Sequence, residues 1–207
     1  MVRDIKINSN FLFFSSVVHL PNDQGCFILG GSDNDDNYSK RVQLFSKYNV
    51  FVEKPPMITR RAFFPSIFAQ LDNSIYVIGG SESNQADLNL CEKFSLTENV
   101  WRPISSMHLQ RNGTGAVIME QHRLIFVFGG NNTKHGSLQK IEKYEIDFDK
   151  WILLDVNLKY GLHDLSVLNV GQERVAIFGG HTNSEISKEV QFLDLSLECF
   201  KSNRGGQ

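Results

Sequence analysis

With 207 residues, of which 41% are hydrophobic and 21% charged, the chain has the make-up of an ordinary globular protein. Its formal net charge of −2 and lack of long basic runs exclude the clustered Lys and Arg of a nucleic-acid footprint. No run reaches the roughly 18 apolar residues of a membrane span, so no membrane partner is expected.

The N-terminal segment Val2-Arg3-Asp4-Ile5-Lys6-Ile7 alternates like a strand. Phe11-Leu12-Phe13-Phe14 follows Arg3 and Lys6, but Asp4 breaks the positive stretch, so the start does not read as a signal peptide. After the turn residues Asn22-Asp23-Gln24-Gly25, the apolar run Cys26-Phe27-Ile28-Leu29 ends in Gly30-Gly31. The same event recurs three times. Ile75-Tyr76-Val77-Ile78 ends in Gly79-Gly80, Ile125-Phe126-Val127-Phe128 in Gly129-Gly130, and Val175-Ala176-Ile177-Phe178 in Gly179-Gly180. The steps are 49, 50 and 50 residues, the mark of a repeat architecture.

Other positions keep the same register. Val42, Cys91, Ile141 and Val190 follow the glycines, and Phe45, Phe94, Tyr144 and Leu193 come three residues further on. Phe51, Trp101, Trp151 and Phe200 come next, and each of the first three stands 28 residues before the next glycine pair. Met57 and Met107 share a slot that counting gives to Asn157 in the third copy. Arg61 and Arg111 share one that counting gives to Gly161. Each copy reads as four strands: a run such as Ser66–Ala69 or Gly115–Ile118, the apolar run before the glycines, a third through Glu92-Lys93-Phe94 or Glu142-Lys143-Tyr144, and a fourth beginning near the Trp. Four strands per roughly 50 residues, without helical periodicity, predict an all-β propeller of about four blades. The glycines are expected where a Cβ would strike neighbouring backbone, and Trp101 and Trp151 as wedges between adjacent sheets.

The predicted fold is a single domain over 1–207, with blades at about 11–57, 64–107, 114–157 and 164–203. Residues 2–8 are expected to supply an outer strand that the fourth blade lacks. The result is a small closed ring, an arc completed by another chain, or a fragment of a larger propeller.

A glycine pair after an apolar strand, then an aromatic, then a Trp resembles the kelch repeat. The best copy runs from Ile75 through Gly79-Gly80 to Trp101, Met107 and Arg111. The resemblance implies a kelch-type β-propeller that binds another protein or peptide as a scaffold or adaptor, in the cytoplasm and in some relatives on the cytoskeleton. It also implies, as an alternative, the substrate-recognition part of a ubiquitin ligase. The repeats fill the chain and leave no room for a BTB or F-box domain, so that role needs a separate subunit or sequence missing from this chain.

No enzyme is expected, and no catalytic residue, cofactor or metal. The five tyrosines and six histidines show no copper-oxidase constellation, and neither G-x-S-x-G nor H-E-x-x-H occurs. Asp33, Asp35 and Asp36 lack the Gly and final Glu of an EF-hand. An enzyme with a central-pocket site is the opposing class. Cys26, Cys91 and Cys199 show no ligand spacing; an odd, unpatterned set fits a reducing compartment.

Recognition is expected on one face, formed by the loops 32–41, 81–90, 131–140 and 181–189 with the blade links 58–63, 108–114 and 158–164, because these vary while the scaffold repeats. Arg60, Arg61, His108, Arg111, Tyr160 and His163 are the candidate partner-binding residues there. For Arg61 and Arg111 the competing reading is structural, because they hold a repeat slot and can bond loop carbonyls.

Overall fold

The computed structural model describes residues 12–84 and 86–201. The proposed strand at 2–8 lies outside them. Blade 1 comprises β1 (Ser16–Leu20), β2 (Gly25–Leu29), β3 (Val42–Phe45) and β4 (Phe51–Glu53). Blade 2 has β5 (Ser66–Ala69) and β6 (Ser74–Ile78), then a small ribbon of β7 (Ser81–Ser83) and β8 (Ala86–Asp87), then β9 (Cys91–Ser95) and β10 (Val100–Ile104). Blade 3 repeats this with β11 (Gly115–Met119), β12 (Leu124–Phe128), the ribbon β13 (Asn131–Asn132) and β14 (Gly136–Ser137), β15 (Lys140–Glu145) and β16 (Lys150–Asn157). Blade 4 has three strands, β17 (Ser166–Gly171), β18 (Arg174–Phe178) and β19 (Val190–Asp194), followed by the short helix α1 (Ser196–Lys201). After β19 the chain passes into α1, so blade 4 has no fourth strand of its own among the described residues.

Every pairing within a blade is antiparallel and joins strands that are consecutive once the small ribbons are set aside, and the inner strands β1, β5, β11 and β17 adjoin in that order. The molecule is a β-propeller of four blades.

Alternation along each strand sends one set of side chains to the blade before and one to the blade after. Tyr76, Ile78, Cys91 and Met107 of the second copy interlock with Ile125, Val127, Tyr144 and Trp151 of the third. The indole N–H of Trp151 donates to the Ser105 carbonyl at 2.8 Å, and that of Trp101 to Pro55 at 2.8 Å, so both tryptophans wedge against the preceding copy as expected.

The residue count hides two compensating changes. The β15–β16 ladder slips at a bulge where Leu153–Asn157 of β16 faces the shorter Lys140–Glu142 stretch of β15, and Leu158, not Asn157, fills the Met57/Met107 slot, its N–H bonding the Gln139 carbonyl as Met107 bonds Asn89. Leu162, not Gly161, fills the slot of Arg61 and Arg111: Gly130 N–H bonds its carbonyl as Gly31 and Gly80 bond those of the arginines. The β17–β18 turn is then shorter, with Gln172 and Glu173 both at positive φ, and the 28-residue interval survives.

The last apolar face is uncovered. On blade 3, Val117, Met119, Phe128 and Ile141 face blade 4 and are buried. In the corresponding places on blade 4, Leu168, Val170, Phe178 and Val190 are all exposed. The first face of blade 1 is half-open too, with Ile28 and Phe45 only partly buried where Val77 and Phe94 are enclosed. Among the described residues, the four blades thus form an arc with two uncovered ends.

Candidate functional site: the loop face

The link before each blade dips into that blade's top. Arg61 donates to the carbonyls of Gly79 (2.6 Å) and Leu90 (2.9 Å) and to the Glu92 carboxylate (2.6 Å). Arg111 repeats the pattern on Gly129 (2.8 Å), Lys140 (2.9 Å) and Glu142 (2.8 Å). The carboxylates also accept link N–H groups, Glu92 from Ile58 and Thr59, Glu142 from His108 and Leu109. Burial pushes Arg111 below the usual arginine value, and the charge of Glu142 beside it opposes that shift.

Both guanidinium groups are 0% exposed, which corrects their placement among the partner-binding residues. Their donors are turned inward, onto the Gly79 and Gly129 carbonyls and onto the Leu90 and Lys140 carbonyls that also accept the glycine N–H groups, so a partner at the surface cannot reach them. The structural reading of this slot is the one that fits.

The slot varies in step with its acidic partner. By register, Glu92 and Glu142 correspond to Gln43 in blade 1 and Gln191 in blade 4, and the arginine slot holds Leu12 and Leu162 there. Where the positive charge is absent, the negative charge is absent too. Leaving one half in place would bury an uncompensated charge.

The other four candidates do reach the surface. Arg60 is exposed, and His108 is half-exposed with Nδ1 2.9 Å from Glu142. Tyr160 is partly buried, its hydroxyl donating to Glu189 (3.0 Å) and lying 3.1 Å from Ser187 Oγ. Together with Thr182, Ile186 and Lys188 it borders a cleft of about 460 Å³. His163 sits at the head of blade 4 with Nδ1 2.9 Å from Ser137 Oγ.

Residues that sequence reasoning did not single out tie the loops together. Tyr38 donates to Asn84 and Asn84 to Asp36, both at 2.9 Å, joining the first two loops. Asp87 accepts from Thr133 N (2.7 Å) and Oγ1 (2.6 Å), and Asn183 accepts from Ser137 N (2.7 Å). Each boundary uses different residues, so no repeated motif could have shown them. The belt fixes the loops relative to one another, and a groove of about 520 Å³ runs between the second and third, lined by Glu82, Asn89, Gln110 and Lys134 among others.

Cys91 is buried and its thiol is pushed up to about 12 by desolvation, Cys199 is buried, and Cys26 is half-buried. Among the described residues, no helix is long and apolar enough to cross a membrane.

A family model for the kelch motif matches residues 68–108. The chain is similar to Kelch repeat and BTB domain-containing protein 2 of cowpox virus, 27% identical over 139 residues that cover 62% of this chain and 24% of the viral protein. Human Kelch-like protein 23 is 37% identical over 81 residues, covering 39% of this chain and 13% of its own length. Human Kelch-like protein 38 is 25% identical over 169 residues, covering 80% of this chain and 28% of its own length. The chain thus spans about a quarter or less of the curated relatives it first matches.

Proposed function

We propose that the chain, a four-bladed β-propeller with a kelch motif at residues 68–108, is a non-enzymatic interaction module of the kelch-repeat kind that holds a protein or peptide partner on its loop face. The observation that carries this reading is the hydrogen-bonded belt from Asp36 and Tyr38 through Asn84, Asp87 and Thr133 to Ser137 and Asn183. It presents loops of unlike sequence in a fixed arrangement, which lowers the ordering cost of binding. Arg60, His108, Tyr160 and His163 supply the accessible anchors on that surface.

A peptide library selected against the purified chain tests this. Binding of a selected peptide should weaken at least tenfold on Arg60→Ala or Tyr160→Ala, the size of a moderate hot spot. It should be unchanged on Lys47→Ala, which lies in an exposed turn at the opposite edge of blade 1. Peptides sensitive to Lys47 and indifferent to Arg60 and Tyr160 would overturn the choice of face.

A second reading has one observation behind it: a similar viral protein is named for joining kelch repeats to a BTB domain. On that reading the chain is the substrate-recognition part of a ubiquitin ligase, acting with a separate subunit. Reconstituted transfer of ubiquitin to a loop-face ligand, dependent on the chain, would be its test. The proposed place of work is the cytoplasm.

A further inference from the structure

At the head of blade 4, three repeat slots carry residues found in no other copy. The bridge that closes each blade's top pairs Phe13 with Ser32, Ala62 with Ser81 and Asn112 with Asn131; here it pairs His163 with His181. The residue after the first member is Phe14, Phe63 or Gly113 in the earlier copies and Asp164 in this one.

The backbone fixes the two histidines. His163 N–H donates to the His181 carbonyl at 2.9 Å and His181 N–H to the His163 carbonyl at 2.7 Å. Such a doubly bonded antiparallel pair directs both side chains to one side. The rings lie 5.4 Å apart between centroids. Asp164 Oδ2 stands 4.0 Å from His163 Nε2 and 3.7 Å from His181 Nδ1. These separations are too long for hydrogen bonds. The three ligand atoms all lie within 4.8 Å of one another.

Two features of the surroundings support the triad. His163 Nδ1 faces Ser137 Oγ at 2.9 Å, which leaves Nε2 to point at Asp164 and His181. An outer hydrogen bond of this kind orients a metal-bound imidazole. Gly113 gives the carboxylate its room, because a Cβ there would stand 2.5 Å from Asp164 Oδ1.

We propose that His163 Nε2, His181 Nδ1 and Asp164 Oδ2 bind a divalent transition-metal ion of the zinc class. Two imidazoles and a carboxylate are the donor set such borderline ions prefer over calcium or magnesium. Ligands at about 2.0–2.1 Å on a tetrahedral ion sit roughly 3.4 Å apart, so small side-chain rotations close the triad around the ion. The fourth position faces solvent, since Asp164 and His181 are each about half-exposed. The ion would pin the link from blade 3 to the loop that leaves β18, at the edge of the loop face. The spacing of 163, 164 and 181 matches no metal motif, and only the bridge brings the residues together.

Calorimetric titration of the purified chain with zinc chloride in a non-chelating buffer tests the site. One ion per chain with micromolar or tighter affinity is expected, and cobalt(II) should give the visible absorption of a tetrahedral site. The control is His163→Asn with His181→Asn, which installs the Asn–Asn bridge that blade 3 already uses. It should keep the melting temperature of the metal-free chain and lose affinity at least tenfold, as should Asp164→Asn. Absence of saturable binding, or equal affinity and stoichiometry in the double variant, would overturn the proposal.

Discussion

Blades 3 and 4 carry the same repeat in different surroundings. Phe128 and Phe178 hold one slot, yet Phe128 is 0% exposed and Phe178 41%. A Cβ on Gly129 would stand 2.3 Å from the Leu162 carbonyl oxygen, while one on Gly179 would meet nothing within 4 Å. Both glycines have φ near +58°, so the turn itself is unchanged. What differs is the neighbour. In a repeat array the next unit supplies burial, and the residue only makes burial available.

The comparison breaks most sharply at those phenylalanines. Phe128→Ala should cost about 3–5 kcal/mol in urea unfolding, through lost transfer energy and a cavity. Phe178→Ala should cost under about 1 kcal/mol, because solvent already reaches the ring. An equal cost at both would mean that a second molecule covers the end of blade 4 in solution, which light scattering on the same sample would register.

The inner blades also differ from the outer ones in their link chemistry. Arg111→Leu alone leaves the Glu142 carboxylate buried without its cation and should cost about 3–4 kcal/mol, the leucine recovering part of the lost packing. Adding Glu142→Gln recreates the Leu162–Gln191 combination of blade 4. The double variant should return to within about 1 kcal/mol of the parent in the same urea series. A double variant as unstable as the single one would show that the guanidinium matters through the Gly129 and Lys140 carbonyls rather than through the charge pair.

How much of this was legible in the sequence follows from its periodicity. The glycine pairs, the strands leading into them and the tryptophan wedges all keep register, so fold and repeat were readable from spacing alone. The Leu162 and Leu158 slots were not. An insertion in β16 and a shortened β17–β18 turn cancel in any count of residues. Arg61 and Arg111 recur because each caps a repeated set of carbonyls, so their periodicity itself marked them as structural. The residues proposed to meet a partner are instead ones the repeat leaves alone, such as Arg60 and Tyr160. The loop ties through Asn84, Asp87 and Asn183 join residues 46 to 48 apart on different blades, and they follow no pattern a single chain can display.

Blade 1 places Phe51 where blades 2 and 3 place Trp101 and Trp151. Trp151→Phe copies the blade 1 choice and removes the donor to the Ser105 carbonyl. The expected loss is about 1–1.5 kcal/mol in thermal or urea unfolding, the net worth of one hydrogen bond plus a little area. A loss above about 3 kcal/mol would mean that the indole's bulk, not its N–H, holds the seam between blades.

The smallest expected effect distinguishes the same seam by pH. Burial works to raise the Asp149 carboxyl, but the Tyr144 hydroxyl (2.7 Å) and the Ser105 N–H (2.8 Å) outweigh it and hold the group below its ordinary value. A carboxyl lowered in the folded state adds stability above its unfolded pKa near 4, and that stability fades as pH falls through the lower folded value. Asp149→Asn should therefore cost about 1 kcal/mol or less at pH 7, given the exposure of the site. The gap between variant and parent should shrink as pH drops below about 4. Blade 4 places Leu193 in the slot of Tyr144 and cannot make this contact. The acid-sensitive tie accordingly belongs to the seam between blades 2 and 3. A gap that stays constant from pH 7 to pH 3 would assign the loss to the geometry of the side chain and not to its charge.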